Sequence, residues 1–95
     1  MTDNKSEQPQ PEMGTPEFMA MCIEAREKEV LGYQFNIDNY TLAIQRIESD
    51  SGLQARQGEF LTQLKGLLAS ETIQQERAQI MLDVLLQRVK LKEAA

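Results

Sequence analysis

The sequence contains no histidine, and Cys22 is its one cysteine among 95 residues. Without imidazole, the chain cannot form a Ser–His or Cys–His nucleophile pair, a histidine-containing zinc site or the Glu-x-x-His pair of a di-iron helical bundle. A single thiol also excludes an internal disulfide and an all-thiolate zinc site within one chain. The common catalytic and metal sites of small helical proteins are therefore excluded.

Other chemical motifs are missing as well. The glycines of the predicted folded region are isolated and are not followed by the Lys-Ser or Lys-Thr of a phosphate loop. Most carboxylates are spread over polar helix faces beside Lys or Arg, so they do not converge in a predicted cleft. The sequence therefore predicts a protein that is not an enzyme and that carries no cofactor and no metal.

Long apolar runs are also missing, and none approaches the length of a signal-peptide core or a membrane span. Together with the single cysteine, this predicts a reduced, cytoplasmic protein that does not associate with membranes. Cys22 lies among Met19, Met21 and Ile23, a setting that favours a small buried hydrophobe over a reactive thiol.

Proline is confined to the first sixteen residues, which contain all three prolines and almost no apolar side chains. Burial cannot offset the ordering entropy of such a segment, so residues 1–16 are predicted to be a disordered polar tail and residues 17–95 a helical domain. A folding unit of this size buries only roughly 60–65% of its unfolded surface. Association with another chain is a common supplement to such a small core.

Positive charge is scarce, and the formal net charge is -5. Residues 1–16, 17–50 and 51–95 contribute -2, -4 and +1 to this total. A net acidic chain repels phosphate, which disfavours nucleic acid as a partner. The exception is one short basic cluster, a candidate patch formed by Arg88, Lys90 and Lys92.

A helix is predicted to begin at residue 17, because Thr15 suits the N-cap, Pro16 the first helical position and Glu17 the first turn. From there, apolar residues recur in steps of three and four, with one gap at Arg26. This seam consists of Met19, Ile23, Val30, Tyr33, Ile37, Tyr40, Ile44 and Ile47.

The middle of this seam also alternates like a strand at Tyr33, Phe35 and Ile37. The alternation ends at Asn39, whereas the helical spacing continues to Ile47, so we interpret the segment as helix. Glycine costs a helix interior up to about 1 kcal/mol. A kink or short break between Gly32 and Asn39 therefore remains an alternative.

The stretch "ESDSGL" at 48–53 predicts a turn, with Asp50 or Ser51 capping the next helix. The second half then shows two apolar stripes whose phase differs, with the change at residues 69–72. The chain either turns there or continues as one helix that rotates its apolar face. We predict an all-α fold, a small antiparallel helical bundle or a long helical hairpin, with three helical segments at about 17–48, 53–68 and 71–92.

Charge bears on the choice between these two architectures. An antiparallel return would bring Arg88, Lys90 and Lys92 beside Glu17 and Glu24, which mildly favours the hairpin. The phase change at residues 69–72 favours a bundle of three helices instead, and the two indications conflict.

A second apolar strip is predicted on the outer face of the first helix. With the seam buried, a rotation of about 100° per residue turns Leu31, Phe35 and Leu42 to the opposite side. Such a strip has three alternative covers: a third helical segment of the same chain, a second copy, or a different protein. We assign these three residues as a candidate partner-binding or dimer interface.

The composition resembles that of bacteriophage accessory proteins and of the small chaperones of secretion systems, without a shared motif. The first functional hypothesis is a non-enzymatic interaction module, an adaptor, inhibitor or chaperone-like protein that acts through helix faces, with a homodimer as its expected assembly. The alternative is a structural assembly subunit whose own copies are its main partner. A DNA-associated regulator that uses the basic C-terminal end ranks last.

Overall fold

The computed structural model describes residues 14–94. Within this range the helices are α1 (Pro16–Glu48), α2 (Ser51–Arg56) and α3 (Gly58–Ala94). α1 and α3 run antiparallel and pack against each other, and α2 links them at the turn. The all-α fold is confirmed, and it takes the form of a helical hairpin. The first thirteen residues of the predicted tail lie outside the described range.

The predicted start of α1 is confirmed to within one residue. Thr15 has an extended backbone, and its Oγ1 accepts a hydrogen bond of 3.1 Å from the backbone N–H of Phe18. Pro16 is the first helical residue and Glu17 lies in the first turn, as the sequence predicts. The cap satisfies one of the N–H groups that a helix start leaves without an intrahelical partner.

α1 is continuous through the segment for which the sequence allows a kink or break. Gly32 and Asn36 both lie inside the helix. The cost of glycine, up to about 1 kcal/mol, is smaller than the gain from packing the seam against α3. The Asn36 side chain also does not compete with the helix backbone, because its Nδ2 donates a 2.7 Å hydrogen bond to Glu71 Oε1 on α3.

The turn at 48–53 is confirmed. α1 ends at Glu48, and the N–H of its C-cap, Ser49, still donates to the carbonyl of Gln45 at 3.0 Å. Asp50, rather than Ser51, caps α2, and its Oδ1 accepts from the N–H of Leu53 at 3.1 Å. α2 ends after six residues, and Gln57 separates it from α3.

The predicted boundary between 53–68 and 71–92 is wrong, because α3 passes through residues 69–72 without interruption. The break in the second half lies earlier, at Gln57. Thr72 lies within this continuous stretch, and its Oγ1 donates to the carbonyl of Leu68 at 2.8 Å, a bond made inside a helix.

The phase change arises because α3 has apolar residues on two opposite sides. The side that faces α1 includes Leu64, Ala78 and Leu82, which are 3%, 5% and 7% exposed. By contrast, Ile73 and Ile80 are 49% and 55% exposed and face away from α1. One straight helix with two stripes thus produces the pattern that predicts two helices.

The core is concentrated next to the turn. Ile44, Ile47 and Leu64 form a buried cluster, and Leu53 of α2 packs against it together with Tyr40, Ala43, Leu61 and Leu68. The remaining buried hydrophobic residues of the described range are Ala78 and Leu82. Tyr33 and Tyr40 are half-buried in the seam, as predicted.

Candidate protein interaction surfaces

The first candidate surface is the side of α1 that faces away from α3, here called the α1 edge. It consists of Leu31, Phe35 and Leu42, which are 68%, 66% and 62% exposed. Tyr33, Ile37 and Tyr40 of the seam face α3. Because successive side chains are rotated by about 100° around a helix, the strip lies on the opposite side of α1. No helix of residues 14–94 covers this edge, so the alternative of an intramolecular cover is excluded for the described chain.

A polar network holds the backbone beneath the α1 edge. Gln75 of α3 donates from Nε2 to the carbonyl of Val30 at 3.2 Å and to Oε1 of Gln34 at 2.8 Å. Gln34 in turn donates to Asp38 Oδ1 at 2.9 Å, and Asp38 lies between Phe35 and Leu42 in the sequence. The two bonds from Gln75 therefore join α3 to the part of α1 that carries the α1 edge.

A second hydrogen-bonded contact between the helices, also called a clamp here, lies on the other flank of the seam, where Asn36 donates to Glu71 at 2.7 Å. The first clamp is the pair of bonds from Gln75. The two clamps lie on either side of Tyr33 and Ile37, because Gln34 and Asn36 lie on opposite flanks of the inward side of α1. The middle of the hairpin is therefore fixed by side-chain hydrogen bonds as well as by apolar packing.

The second candidate surface is the outward side of α3, here called the α3 edge. It consists of Ile73, Ile80, Val84 and Leu91, which are 49%, 55%, 43% and 63% exposed. These residues belong to the second apolar stripe of the sequence, and the structure places them on the exposed side of α3. The buried stripe of this half instead follows Ala78 and Leu82.

One signal in the sequence marks the buried side of α3. Ala78 and Leu82 continue the spacing of Leu61, Leu64 and Leu68 if polar Glu71 and Gln75 are accepted on the same side. Those two positions interrupt the apolar pattern. They are accommodated because each forms a hydrogen bond with α1.

The basic residues near the C-terminus do not form one patch. Lys92 Nζ donates to the carbonyl of Gly14 at 3.2 Å, and Arg88 and Lys92 line the same groove at the open end. Lys90 lies about 160° around the helix from both of them. The predicted basic cluster is therefore divided between two sides of α3.

The predicted proximity of the start of α1 and the end of α3 is confirmed by the contact between Lys92 and Gly14. The expected ion pairs with Glu17 and Glu24 are not formed. Within residues 14–94, the ion pairs join Arg26 to Glu29, Lys28 to Glu24 and Lys65 to Glu48. Glu24 thus pairs with a lysine of its own helix, at 3.5 Å.

Two shallow grooves lie between the helices in the open half. One, of about 440 Å³, is lined by Met19, Ile23 and Val89 together with the aliphatic parts of Arg88 and Lys92. The other, of about 390 Å³, has Cys22, Met81 and Leu85 in its lining. Cys22 is half-buried there, so the burial expected of a small hydrophobe is only partial. The helices of this half leave space between them that their side chains do not fill.

The described residues contain no group of three or more Cys, Asp or Glu side chains placed to hold a metal ion. None of α1, α2 and α3 combines the length and apolarity that a membrane-spanning helix requires. No protein-family model matches the sequence, and neither curated proteins nor solved structures show significant similarity to the chain.

Proposed function

We propose that this protein is a non-enzymatic protein–protein interaction module, a small acidic helical adaptor, inhibitor or chaperone-like accessory protein. It binds another protein through the α1 edge. The observation that carries the proposal is the exposure of Leu31, Phe35 and Leu42, which remain about two thirds exposed on a helix whose opposite side is packed. The proposed location is the cytoplasm, an inference that rests on the sequence.

The chemistry of the α1 edge favours an apolar groove or a helix as its partner surface. The three side chains span twelve residues of helix, or about 16 Å from first to last. Such a strip is the kind of surface that enters an apolar groove or packs against another amphipathic helix. Asp38 lies along the same strip and would favour a donor group on the partner beside the apolar contact.

Rigidity of the backbone supports binding at this position. The clamps from Gln75 to Val30 and Gln34, and from Asn36 to Glu71, hold this part of α1 against α3. Because this part of the backbone is already ordered, binding would lose little conformational entropy there. More of the free energy of the contacts would then contribute to affinity.

The size of the α1 edge sets a limit on its affinity. Burying the exposed two thirds of three large side chains contributes about 3–6 kcal/mol. Association costs on the order of 4–15 kcal/mol of rigid-body freedom. The edge alone therefore does not support tight binding, and tight binding requires a polar rim or the avidity of more than one copy.

The alternative function, a structural subunit that mainly self-associates, is favoured by the α3 edge. A chain with apolar strips on opposite sides has two surfaces through which copies can join. A DNA-associated role is the least favoured, because the net charge is -5 and Lys90 points away from Arg88 and Lys92.

A pull-down with matched variants tests the proposed function. The full chain would be immobilised as wild type, as Phe35→Ser and as Phe60→Ser. Phe60 is also exposed, at 46%, but lies on α3 and outside both edges. We expect a cellular protein to be retained by wild type and by Phe60→Ser and to be lost with Phe35→Ser.

Helical circular dichroism of the three proteins should be the same, because Phe35 makes no contribution to the described core. Equal retention by both serine variants would contradict a binding site at the α1 edge. Loss of helicity in Phe35→Ser would show that the side chain supports the fold instead.

A further inference from the structure

We propose that a second copy of this chain packs on the α3 edge, antiparallel to the first, about a two-fold axis at the level of Leu82. The dimer would join two hairpins through their α3 helices. The α3 edge and the α1 edge lie on different helices and face in opposite directions, so this inference does not depend on the partner proposed for the α1 edge.

The spacing along the α3 edge is that of a coiled-coil seam. Apolar and polar positions recur with alternating steps of four and three residues, which keep one side of a helix toward a partner helix. Between residues 73 and 91 this seam extends about 27 Å. Its six positions are Ile73, Arg77, Ile80, Val84, Gln87 and Leu91.

The order of these six residues suits an antiparallel pair of identical helices. Both ends of the seam read apolar, polar, apolar. A two-fold axis at the level of residue 82 therefore places Ile73 opposite Leu91 of the second copy, and Ile80 opposite Val84. The polar positions also meet, because Arg77 lies opposite Gln87, whose side-chain oxygen accepts hydrogen bonds.

A parallel pair of the same helices is less favourable. In that arrangement each residue lies opposite its own copy, so the guanidinium of Arg77 faces a second guanidinium within the seam. Like charges at close range oppose association, and arginine cannot lose its charge in a protein. The antiparallel arrangement avoids this contact.

Charges beside the seam support the same orientation. The antiparallel two-fold axis brings each flank of the seam against the same flank of the second copy. Glu76 and Lys90 lie on one flank, at similar distances on either side of the axis. Glu76 of each copy would therefore face Lys90 of the other copy, which gives two equivalent pairs. Asp83 lies near the axis on this flank and would face Asp83 of the second copy, an unfavourable contact. On the other flank, Met81 would meet Met81.

The size of the surface fits a reversible dimer. A helix pair of this length buries on the order of 1,000 Å² in total, at the low end of specific interfaces. The hairpin itself is a single layer, and the described residues contain no side chain less than 2% exposed. A second layer would cover apolar area that α1 and α3 leave in contact with water.

Sedimentation over a concentration series tests the interface with two matched variants of the full chain. Val84 and Leu86 are 43% and 41% exposed on the same helix, but only Val84 lies on the α3 edge. Wild type and Leu86→Ser are expected to dimerise. Val84→Ser should raise the dimer dissociation constant by about tenfold to a hundredfold, because the symmetric interface loses the side chain twice.

Three outcomes would overturn the proposal. Wild type could remain monomeric at every concentration, or Val84→Ser and Leu86→Ser could change the dissociation constant equally. Alternatively, Phe35→Ser could dissociate the dimer while Val84→Ser leaves it intact, which would place the second copy on the α1 edge. The pull-down with Phe35→Ser is independent of these results, so failure of one proposal is distinguishable from failure of the other.

Charge variants test the orientation at low salt, where exposed pairs contribute most. Glu76→Lys should weaken the antiparallel dimer about fivefold, and Glu76→Lys with Lys90→Glu should restore it. Asp83→Asn should tighten the dimer, because it removes the contact between like charges at the axis. In a parallel dimer Asp83 would instead face the flank that carries Arg88, so weakening by Asp83→Asn, or absence of rescue in the double variant, would overturn the antiparallel arrangement.

Discussion

The half of the hairpin next to the turn and the half at its open end differ in where they place their apolar side chains. Near the turn, Ile44, Ile47 and Leu64 are 8%, 5% and 3% exposed. Toward the open end, large residues such as Ile80 and Leu91 are 55% and 63% exposed. The buried cluster lies in the turn half, whereas Ala78 and Leu82 are the buried hydrophobic residues of the open half in the described chain.

The number of helices explains this difference. Near the turn, Leu53 of α2 packs against the cluster formed by α1 and α3, so three helices contribute to one core. The open half consists of α1 and α3 alone, and two helices bury one stripe each. A second stripe on either helix then has no intramolecular partner in the described chain. We infer that the turn half contributes most of the packing that stabilises the fold and that the α3 edge in the open half serves association. The α1 edge is a separate surface that reaches Leu42 in the turn half.

Truncating one leucine in each half is expected to give the largest difference. Leu64→Ala should lower the free energy of unfolding by about 2–5 kcal/mol, because it opens a cavity in the buried cluster. Leu91→Ala should lower it by less than about 1 kcal/mol in the monomer, because that side chain is already mostly hydrated. Urea denaturation at low protein concentration measures both values.

The same measurement at high concentration sharpens the comparison. If the α3 edge joins two copies, the effect of Leu91→Ala should grow with protein concentration, whereas that of Leu64→Ala should persist at every concentration. Equal effects of both variants at low concentration would contradict the division of the hairpin into a stabilising and an associating half.

Local sequence signals are sufficient to predict α1 and the turn. Thr15 and Pro16 mark the helix start, and the structure uses both as predicted. Asp50 is one of the two caps that the sequence allows for the next helix, and the structure uses it rather than Ser51. The exposure of Phe35 also follows from sequence, because one long seam fixes the direction of every other side chain on the same helix. One continuous helical repeat of apolar residues therefore predicts both the buried side and the exposed side of α1.

The organisation of α3 could not be predicted in the same way. Its inward side is interrupted by Glu71 and Gln75, whose partners Asn36 and Gln34 are 35 and 41 residues away in the sequence. A local pattern contains no information about such distant partners. The outward stripe of Ile73 and Ile80 is therefore the more regular of the two, and spacing alone favours it wrongly as the core.

The two N-caps provide a second, smaller contrast between the halves. Asp50→Ala should lower the free energy of unfolding by about 1 kcal/mol, because the capped turn is part of the packed half. Thr15→Ala should lower it less, because the first turn of α1 can fray without disturbing the core. Hydrogen exchange should show the Thr15 effect locally, at the amide of Phe18, which donates to the Thr15 side chain at 3.1 Å. Equal losses of global stability would show that the open end unfolds together with the turn half.

The smallest expected effect has the opposite sign and concerns Gly66, which lies inside α3. A Cβ at this position would meet nothing within 4 Å, whereas one at Gly52 would lie 3.4 Å from both Arg56 Nη1 and Asp50 Oδ1. Gly66→Ala should therefore raise the free energy of unfolding by about 0.5–1 kcal/mol through the lower entropy of the unfolded chain. Gly52→Ala, the matched variant, should gain less because its Cβ is crowded.

Gly66→Ala also tests the register of the proposed dimer. Gly66 lies on the same side of α3 as Ile73 and Val84, but the axis at the level of Leu82 places it beyond the C-terminal end of α3 of the second copy. The variant should then be more stable to urea and unchanged in its dimer dissociation constant. A stabilised monomer whose dimer weakens or tightens would show that the second copy reaches the turn half, and the two halves would no longer have separate roles.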